Sequence, residues 1–259
     1  MSGNSETLNP YESGVRMLAS RFLWDIQPES WRSRGIIKQW KNRYLGEKAV
    51  IVCNGPSLLE TPLDMLDGIF TFGLNKINLL FDKSAFRPSC IVAVNPFVLE
   101  QNAQFYNETE IPLFLNKSAT KHVRRRPNIS YLHMYPSLGF ARDCSGSVCV
   151  GYTVTFVAMQ FAYHMGFSKV ALVGCDHSFA TKGPADKTVT SKETDPNHFD
   201  PNYFAGGVQW QLPDLEGSEK AYALARDIND AVGRKMYNCT VGGKLETFER
   251  MDLEEFISL

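Results

Sequence analysis

The chain sets polar and ionisable residues at the ends of short apolar runs, where an α/β sheet exposes backbone N–H groups and side chains to a ligand. The run Ala49 to Cys53 leads straight into Asn54-Gly55-Pro56-Ser57-Leu58. A turn at the carboxyl end of a first parallel strand suits a phosphate or nucleotide, because free N–H groups and a helix start point there. Gly55 permits close approach, Pro56 fits a first helical turn, and Asn54 and Ser57 offer side-chain hydrogen bonds. The stretch matches neither GxGxxG nor GxxxxGK[ST], which weakens dinucleotide and P-loop readings; alone, it also reads as a plain tight turn. Asn75 follows Phe72-Gly73-Leu74, and Asn95, ahead of Pro96, follows Val92-Ala93-Val94. An amide both donates and accepts, so three at adjacent strand ends suit a base, a ribose and a phosphate together, although each alone is also an ordinary turn residue.

A later run, Val170 to Val173, ends in Gly174-Cys175-Asp176-His177. A carboxylate at Asp176 can bind sugar hydroxyls, orient a histidine or hold a metal, and His177 beside it would point away if the strand continued. His198 stands in His198-Phe199-Asp200-Pro201-Asn202-Tyr203-Phe204. In a loop that closes over substrate it is a candidate general base; the plainer alternative is a satisfied loop or core histidine. The cysteines form no CxxC pair and no histidine stands at zinc-ligand spacing, so scattered reduced thiols and no bound metal are expected.

These residues need elements to position them. From Ala49 onward, apolar runs at 49–53, 69–74, 91–94, 113–115, 131–134 and 170–173 are continuous rather than alternating, as strands covered on both faces require. Val154, Val157, Ala158, Phe161, Ala162 and Met165 fall at helical spacing and predict an amphipathic helix. Ser218 is expected to cap a helix carrying Ala221, Leu224, Ala225, Ile228 and Val232 on one face; a strand at 235–239 and a short helix opened by Asp252, with Glu255 in capping-box position, follow. The fold expected is a single α/β, Rossmann-like, open and mostly parallel sheet with helices on both faces. Residues 1–46, with Trp24, Trp31 and Trp40 among basic residues, form an N-terminal helical extension that either packs on the domain or anchors at a membrane interface; residues 47–259 form the catalytic domain. Within it, residues 182–215 show no period and read as a lid loop.

Composition limits the function. With 27 basic and 28 acidic residues, the protein lacks the basic excess of a general nucleic-acid surface. No apolar run is long enough to span a bilayer, and the first ten residues do not look like a secretory signal, so a cytoplasmic protein is expected. Lys121 and Arg124 to Arg126 form a local basic cluster suited to an acidic glycan or lipid phosphate, or simply to solvent.

Over roughly residues 47–250 the chain resembles the bacterial family 42 sialyltransferases and the group around them, which includes motility-associated factor glycosyltransferases and archaeal 6-hydroxymethylpterin diphosphokinases. The resemblance rests on Asn54-Gly55-Pro56-Ser57-Leu58, Asn75, Asn95-Pro96, Gly174-x-Asp176, His198 and the strand at 235–239. It implies a glycosyltransferase that needs no cofactor, inverting the anomeric centre as it moves a nonulosonic (sialic-like) acid from a CMP-sugar to a glycan or other surface acceptor. Asn54, Gly55, Pro56, Ser57, Asn75, Asn95, Thr153, Asp176, His177 and Tyr203 would bind the nucleotide-sugar, and His198 would deprotonate the acceptor. The departing phosphate would rest on the 54–57 turn.

The chain departs from those sialyltransferases in two places. Thr153-Val154 stands where they have Ser-Gly, and their phosphate-assisting tyrosines are replaced by His177, Ser178 and Phe179, leaving Tyr203, His177 or Lys182 as substitutes. The resemblance also leaves open self-association, contact with the inner membrane face, a magnesium-dependent diphosphokinase acting on a pterin alcohol with ATP through Asp176 and Asp200, and a non-catalytic nucleotide- or glycan-binding protein.

Overall fold

The computed structural model describes residues 9–180, 183–191 and 193–259. The chain opens with two helices, α1 (Pro10–Asp25) and α2 (Pro28–Trp40), each begun by a proline in its first turn. Strands β1 (Lys48–Val52), β2 (Phe70–Leu74), β3 (Cys90–Ala93), β4 (Leu113–Asn116) and β5 (Ile129–Leu132) follow, with α3 (Pro96–Gln101) and α4 (Ala103–Glu108) between β3 and β4. Then come β6 (Met134–Tyr135), β7 (Val148–Cys149), α5 (Val154–Met165), β8 (Lys169–Val173), β9 (Thr188–Thr190), β10 (Gln209–Gln211), α6 (Leu215–Asp230), β11 (Lys235–Asn238), β12 (Glu249–Arg250) and α7 (Leu253–Ser258).

The main sheet is eight-stranded, in the order β12-β11-β8-β1-β2-β3-β4-β5, and every pairing in it is parallel. The continuous apolar runs have the cause expected: each face carries its own core. One joins Ile51, Phe72, Phe114 and Leu172 to α5 and α6; the other joins Val50, Val52, Ile91 and Val173 to α3, α4 and α7. β1 lies between β2 and β8, so the chain leaves β1 on one side and returns on the other. In open α/β sheets the crevice outside such a reversal is where ligands bind.

Several expectations shift. The fifth strand occupies 129–132 rather than 131–134, because Met134-Tyr135 leaves the sheet to pair with Val148-Cys149. The spacing in α5 predicts a solvated face, yet the helix is buried nearly all round. Its polar residues are satisfied internally: Gln160 Nε2 donates to Cys149 O, and His164 Nε2 lies 2.9 Å from Ile37 O. Asp214, not Ser218, caps α6 by accepting from Gly217 N; Ser218 lies one turn inside and donates its hydroxyl to Asp214 O. α7 does begin after Asp252, but no side chain caps it.

The N-terminal extension packs through α2, which covers the open edge of β5. Tyr131 N donates to Ser33 Oγ, and the Arg32 guanidinium donates to Ile129 O and Arg126 O. Edge groups that would otherwise be free to pair with another chain are thereby engaged.

The described residues of the 182–215 stretch, 183–191 and 193–215, are more ordered than its composition suggests. β9 and β10 pair antiparallel, and Phe199, Tyr203, Phe204, Trp210 and Leu212 are buried in the core on the α3 and α7 face. Lys182 lies outside the described residues.

Candidate active site

A cavity of about 510 Å³ opens at the carboxyl ends of β1, β2, β3, β4 and β8, spanning the reversal point. Most of the predicted site residues meet there: Asn54, Gly55, Asn75, Asn95, Thr153, Asp176, His177, His198 and Tyr203 line it, whereas Pro56 and Ser57 do not.

The strand-end asparagines do unlike things. Asn54 is 8% exposed; its Nδ2 donates to Leu74 O at 3.0 Å, tying β1 to β2, and its Oδ1 is without a partner among the described residues. Asn75 sits at φ 47° and likewise leaves a buried Oδ1 unpartnered, while its backbone O accepts from the Tyr106 hydroxyl. Buried acceptors are rarely left empty, so these two oxygens suit a ligand that brings N–H or O–H donors. Asn95 is committed differently: its Oδ1 caps α3 by accepting from Phe97 N, and its Nδ2 donates to Gln211 Oε1 in β10. Asn116, at the end of β4, extends the series with Nδ2 donating to Val94 O. Sequence reasoning missed it, although its place after an apolar run was the same signal.

The turn after β1 holds a carboxylate of the protein itself. Ser57 Oγ donates to Asp176 Oδ2 at 2.8 Å, and Ser57 N lies 3.4 Å from both carboxylate oxygens. A Cβ at Gly55 would stand 1.9 Å from Asp176 Oδ2 and 2.7 Å from Gly174 O, so glycine is required by close approach rather than by φ. The expectation that a phosphate rests on this turn is therefore corrected: Asp176 occupies its Ser57 amide. The N-terminus of α5 supplies an alternative, since Thr153, Val154 and Thr155 line the cavity and Thr153 Oγ1 accepts from Thr155 N. Aligned peptide dipoles favour negative charge at such an end.

His198 has the surroundings of a positioned base. Its Nδ1 donates to Asp195 Oδ2 at 2.7 Å, the ring stacks on Tyr203, and Phe179 and Phe204 meet it edge-on. Nδ1 being engaged, Nε2 is the nitrogen left for a ligand. Burial pushes the Asp195 carboxyl up, but hydrogen bonds from His198 and Asn197 N outweigh it and hold the group below the ordinary carboxylate value. Asp195 also went unnoticed in the sequence, where the only hint is an acid three residues before the histidine.

The remaining candidates divide. His177, at φ 51°, lines the cavity with Nε2 3.0 Å from Glu219 Oε1. Tyr203 lies beneath His198, and its hydroxyl accepts from Lys76 N, so it is turned away from a leaving group. Asp200 binds Lys83 at 2.6 Å and is not in the lining, which separates it from Asp176. Tyr152, half exposed at φ 66°, joins the lining unforeseen. Asn75, Tyr152 and His177 all hold a left-handed backbone that side chains disfavour, and such strain gathers at binding sites. The basic cluster is elsewhere: Arg126 binds Glu110 and Arg125 lies 3.6 Å from Glu29.

Comparison with known proteins agrees with this architecture. A family model described as 6-hydroxymethylpterin diphosphokinase MptE-like matches residues 29–182, more than half of the chain. The chain belongs to that family. Among solved structures, the MAf glycosyltransferase from Magnetospirillum magneticum AMB-1 superposes with a TM-score of 0.51 at 15% identity, over 86% of this chain and 38% of that one. The chain thus spans well under half the length of that protein, and the likeness is one of fold. No curated protein matches the chain. Among the described residues, no helix is long and apolar enough to cross a membrane.

Proposed function

We propose that the protein is a glycosyltransferase that moves a nonulosonic acid from a CMP-sugar to a glycan or other surface acceptor, with inversion and without a metal. The observation that carries this reading is the His198–Asp195 pair at a cavity lined by strand-end amides. His198 Nε2 takes the acceptor hydroxyl's proton as that oxygen bonds to the anomeric carbon and the bond to the CMP phosphate breaks. Asp195 holds the ring in the tautomer that leaves Nε2 free to accept, and stabilises the imidazolium once formed. The departing phosphate is received at the N-terminus of α5 beside Thr153 and Val154, where the helix dipole is in place before charge develops. Asn54 Oδ1 and Asn75 Oδ1 accept from amino or hydroxyl groups of the nucleotide. The β9–β10 segment serves as the cover that excludes water.

The family description raises the competing diphosphokinase reading, which needs carboxylates gathered around magnesium and ATP phosphates. Asp200, held by Lys83 outside the cavity, does not support it. Thermal shifts with CMP, CDP, UDP, GDP and ATP, each with and without Mg²⁺, separate the two. Ligand at about 100 Kd stabilises by roughly 2.7 kcal/mol. A metal-independent shift with CMP is expected; a shift seen only with ATP and Mg²⁺ overturns the proposal. Loss of CMP-sugar turnover in His198→Ala with CMP binding intact distinguishes an enzyme from a binding protein.

A further inference from the structure

α1 is apolar on both sides. Its inner face is mixed: Trp24 is buried in the core, while Ser20 Oγ lies 3.3 Å from His133 Nε2 and accepts from Lys117 Nζ, and Arg21 donates to Ser147 Oγ and Asp25. Its outer face carries Tyr11, Val15, Leu18, Phe22 and Ile26 in one line, with Leu23 beside them, exposed from 56% at Ile26 to 83% at Tyr11. With Trp24 and the polar contacts already holding the helix to the domain, the exposed apolar line is left for a second partner.

The geometry points to a second copy of this chain as that partner, α1 packing antiparallel on α1 across a twofold axis. The stripe is its own complement: reversed about a point beside Leu18, Tyr11 falls opposite Ile26, Val15 opposite Phe22, and Leu18 beside its own copy. That self-matching is what an isologous interface demands. The spacing 11, 15, 18, 22 is also the alternating four-and-three step by which two helices interlock. Six side chains exposing roughly 100 Å² each give about 1,200 Å² from two copies, the lower end of stable interfaces. The charges exposed on α1, Glu12 and Arg16, pair with each other at 3.8 Å, leaving a neutral stripe rather than the cationic one an anionic bilayer attracts.

The test is analytical ultracentrifugation of the full chain, with the same measurement on Leu18→Glu, which sets two carboxylates together at the axis. A dimer is expected, with a dissociation constant raised at least about tenfold in the variant and an unchanged circular dichroism spectrum, since Leu18 is exposed. Leu18→Cys should cross-link to itself, and Tyr11→Cys should cross-link to Ile26→Cys only when the two proteins are mixed. A monomer at high concentration, a dimer indifferent to Leu18→Glu, or a dimer without these cross-links overturns the proposal. So does a monomer that floats with phosphatidylserine vesicles and loses that binding on Leu18→Glu, which would make the stripe a membrane contact.

Discussion

The imidazole of His198 lies flat on the phenol of Tyr203, ring centroids 3.9 Å apart and planes within 2° of each other. Tyr203 is in turn fixed from below, since Lys76 Nζ donates to its carbonyl at 2.6 Å and Lys76 N to its hydroxyl. The ring's tilt is thus set by stacking and its rotation by Asp195. A side chain held this way loses little entropy when a ligand arrives.

Asp195→Asn keeps the shape and removes the charge that, in the proposed mechanism, selects the tautomer and supports the imidazolium. Turnover of CMP-sugar is expected to fall by about 10²–10⁴-fold, with CMP affinity nearly unchanged. Steady-state kinetics beside a CMP titration checks this; equal losses in both would reduce Asp195 to a structural role.

Gly55→Ala drives a methyl group into the Asp176 carboxylate and the Gly174 carbonyl. The turn has to move, at a cost of about 1–3 kcal/mol in a urea melt. The CMP-induced thermal shift should shrink as well, because Asn54 moves with the turn.

Lys76→Met tests the clamp under His198. Burial pushes the Lys76 ammonium down to about 8, with Asp195 only partly opposing. Between about 8 and 10.5 the unfolded chain holds this proton more firmly than the folded one, so the group makes stability rise with pH across that window. The variant should lack that rise, and amides of 195–204 should exchange faster in it. Unchanged exchange would count against the clamp.

His133, set between Ser20 and Ser147, is pushed down to about 4 by burial and by Lys117 and Arg21. The unfolded histidine takes its proton near 6.5, so between 6.5 and 4 the unfolded state binds more protons. Stability is full above that window and declines as pH falls through it, by up to roughly 3 kcal/mol from this residue. His133→Gln should flatten the decline in urea melts taken from pH 7 to pH 4. Because His133 anchors α1, the decline should coincide with loss of α1 amide protection.

The legible parts of the sequence were those where one physical demand acts on consecutive residues. Strands such as 49–53 and 170–173 must be apolar on both faces, and that demand writes itself as an uninterrupted run. Asn54, Asn75, His177 and His198 stood out because strand ends and loops are where unpaired polar groups survive. The relation between Ser57 and Asp176 was not legible: 119 positions separate them, and only the β1–β8 pairing brings them together. The burial of side chains within 195–212 was not legible for another reason. Phe199, Tyr203 and Phe204 are core residues that reach the core from irregular backbone, which has no period to detect, and Trp210 does so from a strand of three residues, too short to show one.

Asn54-Gly55 is the kind of dipeptide in which a glycine nitrogen readily attacks the preceding amide, closing a succinimide that opens to aspartate and isoaspartate. Here that nitrogen is engaged with Gly174 O at 2.9 Å, and the Asn54 amide is held by Leu74 O. The fold thereby suppresses the chemical ageing its own sequence invites. Isoaspartate at position 54 becomes a clock that runs only while the sheet is open, so its content in an old preparation records time spent unfolded.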